Sequence, residues 1–342
     1  MTLGLSVILL AVLVFPFLSK KVEENIELFL FMMGLAAVLI SKQFSWHLGA
    51  EALYEPLPIT GAVLVFGLIF KWSRSYLDRL VQTMLKVFSL PVFIFLLILF
   101  LGLQASIVTA IIAAIVLVEV VSMLKLDKKF ETNLVIIACF AIGLGAALTP
   151  LGEPLSTIAI AKLKSWPHVN FWYLAKLLGA YIVPGILFLA LLGVLFQRRS
   201  SEETLTAPRE EREETLKTII LRAGKVYLFV MALVFLGQGF KPIIDEYVIQ
   251  LSDDLLYWIN ITSAILDNAT LTAAEISPTM TELQVKKILM GLLIAGGMLI
   301  PGNIPNIIAA GKLKISMKEW AKLGVPLGLV LMVAYFFILK IT

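Results

Sequence analysis

The sequence predicts an all-α polytopic membrane protein whose core is two inverted repeats, each with a re-entrant hairpin and a broken transmembrane helix. Composition, a motif that occurs twice and the sidedness of the loop charges carry that expectation. The 342 residues are 60% hydrophobic and only 15% charged, with a mean hydropathy of +0.96, far from soluble domains. Several runs, among them 3–18, 26–40, 171–196 and 325–339, approach the roughly 20 apolar residues needed to cross a bilayer. The net charge of +4 is explained by Lys and Arg gathered on one side of the membrane, so neither an acidic partner nor a nucleic acid is expected.

The elements follow in order. The first run, 3–18, has no Lys or Arg before it and is closed by Lys20 and Lys21. That is the reverse of a cleavable signal, so a retained helix with its N-terminus outside is expected. Helices follow at 26–41 and 57–71, then an amphipathic surface stretch over 72–87, with Lys71, Arg74, Arg79 and Lys86 at the headgroup level. Two apolar arms, 88–102 and 106–124, are joined by GLQAS (102–106), whose polar Gln104 and Ser106 read as the tip of a hairpin. A run over 133–149 leads into LTPLGEPLSTIAIAKLK (148–164), and a long helix over 171–196 ends in the charged segment 197–217, a solvated cytoplasmic linker. The division is therefore 1–56, two N-terminal helices; 57–196, the first repeat; 197–217, the linker; and 218–342, the second repeat. The single cysteine, Cys139, lies in an apolar run and has no intrachain partner.

Repetition is the most informative feature, since transporters built from repeats bind their cargo where both copies are interrupted. LTPLGEPLSTIAIAKLK has a twin in LIPGNIPNIIAAGKLK (299–314). Gly152 falls on Gly302, Glu153 on Asn303 and Lys162-Leu163-Lys164 on Lys312-Leu313-Lys314, each 150 residues apart (302 − 152). Upstream, GLQASIVTA (102–110) pairs more weakly with LDNATLTAA (266–274), placing Gln104 over Asn268. If both tips dip into the membrane and return, an odd number of crossings separates the halves and the repeats are inverted. Seventeen Lys and Arg then fall in inner loops against seven in outer ones, as the positive-inside rule demands. The six tryptophans, Trp46, Trp72, Trp166, Trp172, Trp258 and Trp320, are expected at the two interfaces.

Pro150, Gly152 and Pro154 interrupt an apolar run, and non-helical backbone at membrane depth is tolerated only inside protein or beside a wet cavity. Glu153, Ser156, Thr157 and Thr149 from one copy and Asn303 and Asn306 from the other supply side-chain oxygens at that level. In SAILDNATLTAAE the second tip offers Ser263, Asp267, Asn268 and Thr270. Asp267 costs about 2.5–3.5 kcal/mol at mid-bilayer, so a functional role is expected of it, and capping of the second arm is compatible with that role. Gln104 and Ser106 would add neutral ligands. Glu119, six residues before Lys125, and Glu275, three before Pro278, are weaker candidates near the inner and outer ends. Arg222 and Lys225 read as positive-inside anchors. His47 and His168 are isolated, so no resident metal site is expected; no nucleophile and base occur together, so an enzyme is not expected either.

Two hairpin tips and two broken helices, one with TPLGEP and the other with PGNIPN, resemble the ion transporter superfamily. That group includes arsenite permeases, NhaD-type sodium/proton antiporters and divalent anion/sodium symporters. TPLGEPLST and LDNATLTA are similar to the antiporter branch, and the overall pattern is nearest to a compact cation transporter branch. The resemblance covers about residues 57–342 and implies an elevator-like movement and a homodimer in the cytoplasmic membrane. The chain departs from the antiporters in its shorter length and in PGNIPN, which lacks an acid. Asp267 and Glu153 would repel an anionic cargo and suit a transported Na⁺ held by oxygen ligands. The expectation is a secondary sodium/proton antiporter without cofactors, in which the two ions compete for a carboxylate. A sodium-coupled carrier of an organic acid or oxyanion is the alternative, the carboxylates then serving the coupling ion.

Overall fold

The computed structural model describes residues 1–124, 126–200, 215–248, 251–266 and 268–341. The first helices are α1 (Thr2–Leu18), a one-turn α2 (Lys20–Glu24), α3 (Ile26–Ser41), α4 (Trp46–Tyr54) and α5 (Pro56–Val87). The first repeat continues with α6 (Leu90–Val108), α7 (Ala110–Met123), α8 (Lys128–Ala146), α9 (Pro154–Lys162) and α10 (Tyr173–Ser200). The second has α11 (Leu216–Ile243), α12 (Asp253–Ile259), α13 (Asn268–Glu275), α14 (Glu282–Gly296), α15 (Ile304–Leu313) and α16 (Met317–Ile341). No strand occurs among the described residues. Six helical stretches, 46–87, 90–108, 128–146, 173–197, 216–243 and 317–341, are long and apolar enough to cross a membrane. The protein is an all-α, multi-pass membrane protein.

The order of elements repeats. A crossing helix (α5, α11) is followed by a hairpin (α6 and α7; α12 and α13), a helix that stops short (α8, α14), a half-helix (α9, α15) and a final long helix (α10, α16). The halves interlock crosswise: α7 packs along α15, and α13 along α9. Each hairpin's returning arm therefore lies against the other repeat's half-helix. Outside this core, α3 lies along α11, joined by an ion pair from Lys225 to Glu27 at 2.6 Å.

Three expectations are corrected. First, no break separates 57–71 from 72–87: α5 is one helix of 32 residues. Nothing between Lys71 and Val87 ends a helix, because the Ser73 and Thr83 hydroxyls donate back to Ile69 O and Arg79 O, both at 2.7 Å. Its length of about 48 Å exceeds the ~30 Å hydrocarbon core, so the basic end continues the crossing helix.

Second, the first hairpin does not turn at 104–106. Ser106 Oγ donates to Leu103 O at 3.0 Å, folding the hydroxyl into α6, and Gln104 sits within that helix. The turn is made by Thr109 at φ 78°, ψ 148°, whose Oγ1 accepts the Ile112 N–H at 3.4 Å and caps α7. The matching arms begin at Ala110 and Asn268, a spacing of 268 − 110 = 158 residues, so Gln104 is not the counterpart of Asn268. The cap foreseen at Asp267 lies outside the described residues. Third, Trp320 is fully buried rather than interfacial. Its Nε1 donates to Gly297 O at 3.1 Å, satisfying a carbonyl freed at the end of α14. The linker residues 201–214 also lie outside the described residues.

Candidate functional site

Both broken helices stop and restart in the same way. After Ala146 the chain passes through turns to Glu153, which at φ −158°, ψ 160° is the residue before α9. After Gly296 a 3-10 turn at Ile300–Gly302 leads to Asn303, at φ −153°, ψ 147°, before α15. Pro154 and Pro305 then occupy the first turn, where a missing N–H costs nothing. The glycines are explained by close approach and not by left-handed backbone, since no glycine has a positive φ. A Cβ on Gly302 would lie 2.6 Å from Gly296 O and 2.7 Å from Ser263 O, and one on Gly152 would overlap Ala146 O. The same carbonyl position, 146 or 296, closes on the same glycine in each copy.

Freed backbone groups find partners across the break. The Ala110 N–H donates to Gly152 O at 2.9 Å, joining the first hairpin tip to the first break. Thr149 Oγ1 donates to Ser106 O, and Thr157 Oγ1 to Pro150 O at 2.6 Å. Asn306 Nδ2 donates to both Gly296 O and Leu299 O at 2.8 Å. Of these predicted ligands, Thr157 and Asn306 thus spend side-chain donors on carbonyls of the breaks, Thr149 spends its hydroxyl on the hairpin arm, and Ser106 spends its own within α6. Ser263 Oγ bonds Asn268 Oδ1 and, at 3.2 Å, Leu292 O, orienting the Asn268 amide. Thr270 packs at Gly237 of α11.

Between the tips and the breaks lies a cavity of ≈ 40 Å³ lined by residues 110–111, 152–155, 268–269 and 302–304 and by Leu233 of α11. That is room for about three water-sized bodies. The starts of four helices, α7, α9, α13 and α15, meet there. Of the predicted site residues, Glu153, Asn268 and Asn303 line it. Glu153 is 8% exposed and is the cavity's one carboxylate among the described residues. Asp267 lies outside the described residues. Near the cavity, Asn268 Nδ2, Asn306 Oδ1 and Ser156 Oγ are buried with no hydrogen-bond partner among the described residues, a capacity that suits a ligand or water.

Gln104, Glu119 and Glu275 do not reach the cavity wall. Glu119 instead pairs with Lys312 at 2.7 Å, both side chains about one-tenth exposed, binding the end of α7 to the end of α15. Glu275 is buried at the far end of α13. Sequence reasoning missed Ala110, Ile111 and Leu233 because apolar residues carry no polar signal, although aligning the two copies at their helix starts would have placed Ala110 opposite Asn268.

Residues 2–342 match the model of a family described as "Protein of unknown function (DUF1646)". The chain belongs to that family. Its match spans both repeats and the N-terminal helices, so the cavity described here lies within the family's common region. Comparison with curated proteins gives no match.

Proposed function

We propose that the protein is a secondary cation transporter, most simply a sodium/proton antiporter, and that the central cavity is its cargo site. The observation that carries this reading is Glu153, a carboxylate in the wall of a small cavity between two interrupted helices. A buried negative charge needs compensation, and the helix starts around it offset part of that cost. A dehydrated Na⁺ with carboxylate, amide and carbonyl oxygens would supply the rest, and a proton on the same carboxyl would displace it. Asn268 and Asn303 are the neutral oxygen donors of the set, and Asp267 joins it on sequence grounds. The resemblance to the ion transporter superfamily points the same way, and with it to a homodimer in the cytoplasmic membrane. The lysine and arginine distribution favours both termini outside and the 197–217 linker inside.

In vesicles loaded with a pH dye, addition of Na⁺ is expected to move protons in the wild type. Glu153→Gln is expected to abolish that change while leaving the folded protein intact. Full exchange in Glu153→Gln would overturn the assignment.

One observation favours a second reading, a sodium-coupled carrier of an organic acid or oxyanion. Four helix N-termini around one cavity form a set of N–H donors suited to an anion. A solute screen separates the two: the symporter would accumulate an anion only under a Na⁺ gradient and would leave the pH dye unchanged in its absence.

A further inference from the structure

The crosswise packing of the repeats places an acid near the end of each hairpin's returning arm, and the two acids are treated differently. On α7, Glu119 meets Lys312 of α15 at 2.7 Å. On α13, Glu275 is 2% exposed, and neither carboxyl oxygen has a hydrogen-bond partner among the described residues. Lys162, the counterpart of Lys312, is exposed on α9 and forms no ion pair among the described residues.

The side chain facing Glu275 is the Asn260 carboxamide. Asn260 is fully buried, gives its Nδ2 to Ile288 O at 3.4 Å, and has no partner for Oδ1 among the described residues. An ionised Glu275 would therefore be a buried charge beside a neutral amide, which costs several times more than burying the neutral acid. A proton on Glu275 removes that charge.

Among the described residues, no cation on the surrounding elements pairs with Glu275. α13 is packed by α9, α11, α14 and the turn at Ile244–Val248. On α14, Lys287 is engaged by Asp254 at 2.6 Å, Lys286 by Tyr181 at 3.3 Å, and Glu282 by His168 at 2.8 Å. On the turn Glu246 is exposed; on α11 Lys241 lies in the last turn; on α9 Lys162 points to solvent.

We infer that Glu275 is a proton-binding site separate from the cavity, seven residues and about 10 Å along α13 from Asn268. The inference rests on the transport reading for the use of that proton: Glu275 on α13 would hold a proton in addition to the one that competes with Na⁺ at Glu153.

Infrared spectroscopy of the purified full-length protein tests it, because a protonated carboxyl absorbs apart from a carboxylate and shifts in D₂O. The wild type at neutral pH is expected to show the acid band, Glu153→Gln to keep it, and Glu275→Gln to lose it. Gln is nearly isosteric with the neutral acid, so the fold is expected to survive. A band unchanged in Glu275→Gln, or absent from the wild type, overturns the proposal. In vesicles, Glu275→Gln is expected to slow Na⁺-driven proton movement at least tenfold; undiminished movement also counts against it. If the wild type moves no protons with Na⁺ but the infrared difference holds, the transport reading fails and the proton site stands.

Discussion

At the scale of single residues, the break positions are set by space. Gly302 has three backbone atoms within about 3.0 Å of where a Cβ would sit, and backbone does not move aside as a flexible side chain would. Gly302→Ala is expected to destabilise the protein by about 1–3 kcal/mol through overpacking. Gly311→Ala in the same half-helix, with nothing within 4 Å, is the control and should be neutral or stabilising by up to ~1 kcal/mol through helix propensity. Thermal unfolding in mild detergent measures both; equal midpoints would mean that the close approach is not what fixes the glycine. The helix breaks at Gly152–Glu153 and Gly302–Asn303 were legible in the sequence because proline, glycine and polar residues stood together in an apolar run, twice. The first hairpin turn was not legible, because polarity at Gln104 and Ser106 was a poorer guide than backbone geometry. A β-branched threonine at φ 78° is an uncommon conformation that no local pattern announces.

At the scale of elements, what matters is which helix each arm leans on. The Glu119 and Lys312 side chains are one-tenth exposed, and Arg222 lies close enough to interact with both. Glu119→Gln, which leaves two neighbouring cations without their acid, is expected to cost roughly 3–5 kcal/mol, whereas Lys312→Met, which leaves Glu119 beside Arg222, should cost less. Denaturant titration of both variants checks the expectation, and a Lys312→Met variant as unstable as Glu119→Gln would show that Arg222 does not compensate Glu119. The sequence showed the KLK triplet twice but could not say that, among the described residues, one copy would be ion-paired and the other not, since the partner arrives from 193 residues away. Hydropathy likewise located α5 without revealing its full length, because charged residues after Lys71 lower the mean hydropathy without ending the helix.

At the scale of the whole molecule, two copies of one path meet at their interruptions, and the cavity belongs to neither copy alone. The two broken helices were readable from the 150-residue repeat, while the apolar part of the cavity wall emerged only once the arms were in register. Because α7 rests on α15 and α13 on α9, neither half can complete its own hairpin. Severing the peptide bond chain between residues 200 and 215 should therefore leave two polypeptides that accumulate only when made together. Purified from one cell they should co-elute and show the intact protein's unfolding midpoint, whereas either made by itself should be degraded. Such mutual dependence would also make the union of the two genes' worth of sequence a matter of supply, ensuring equal numbers of each half, and not a requirement of the shape they build.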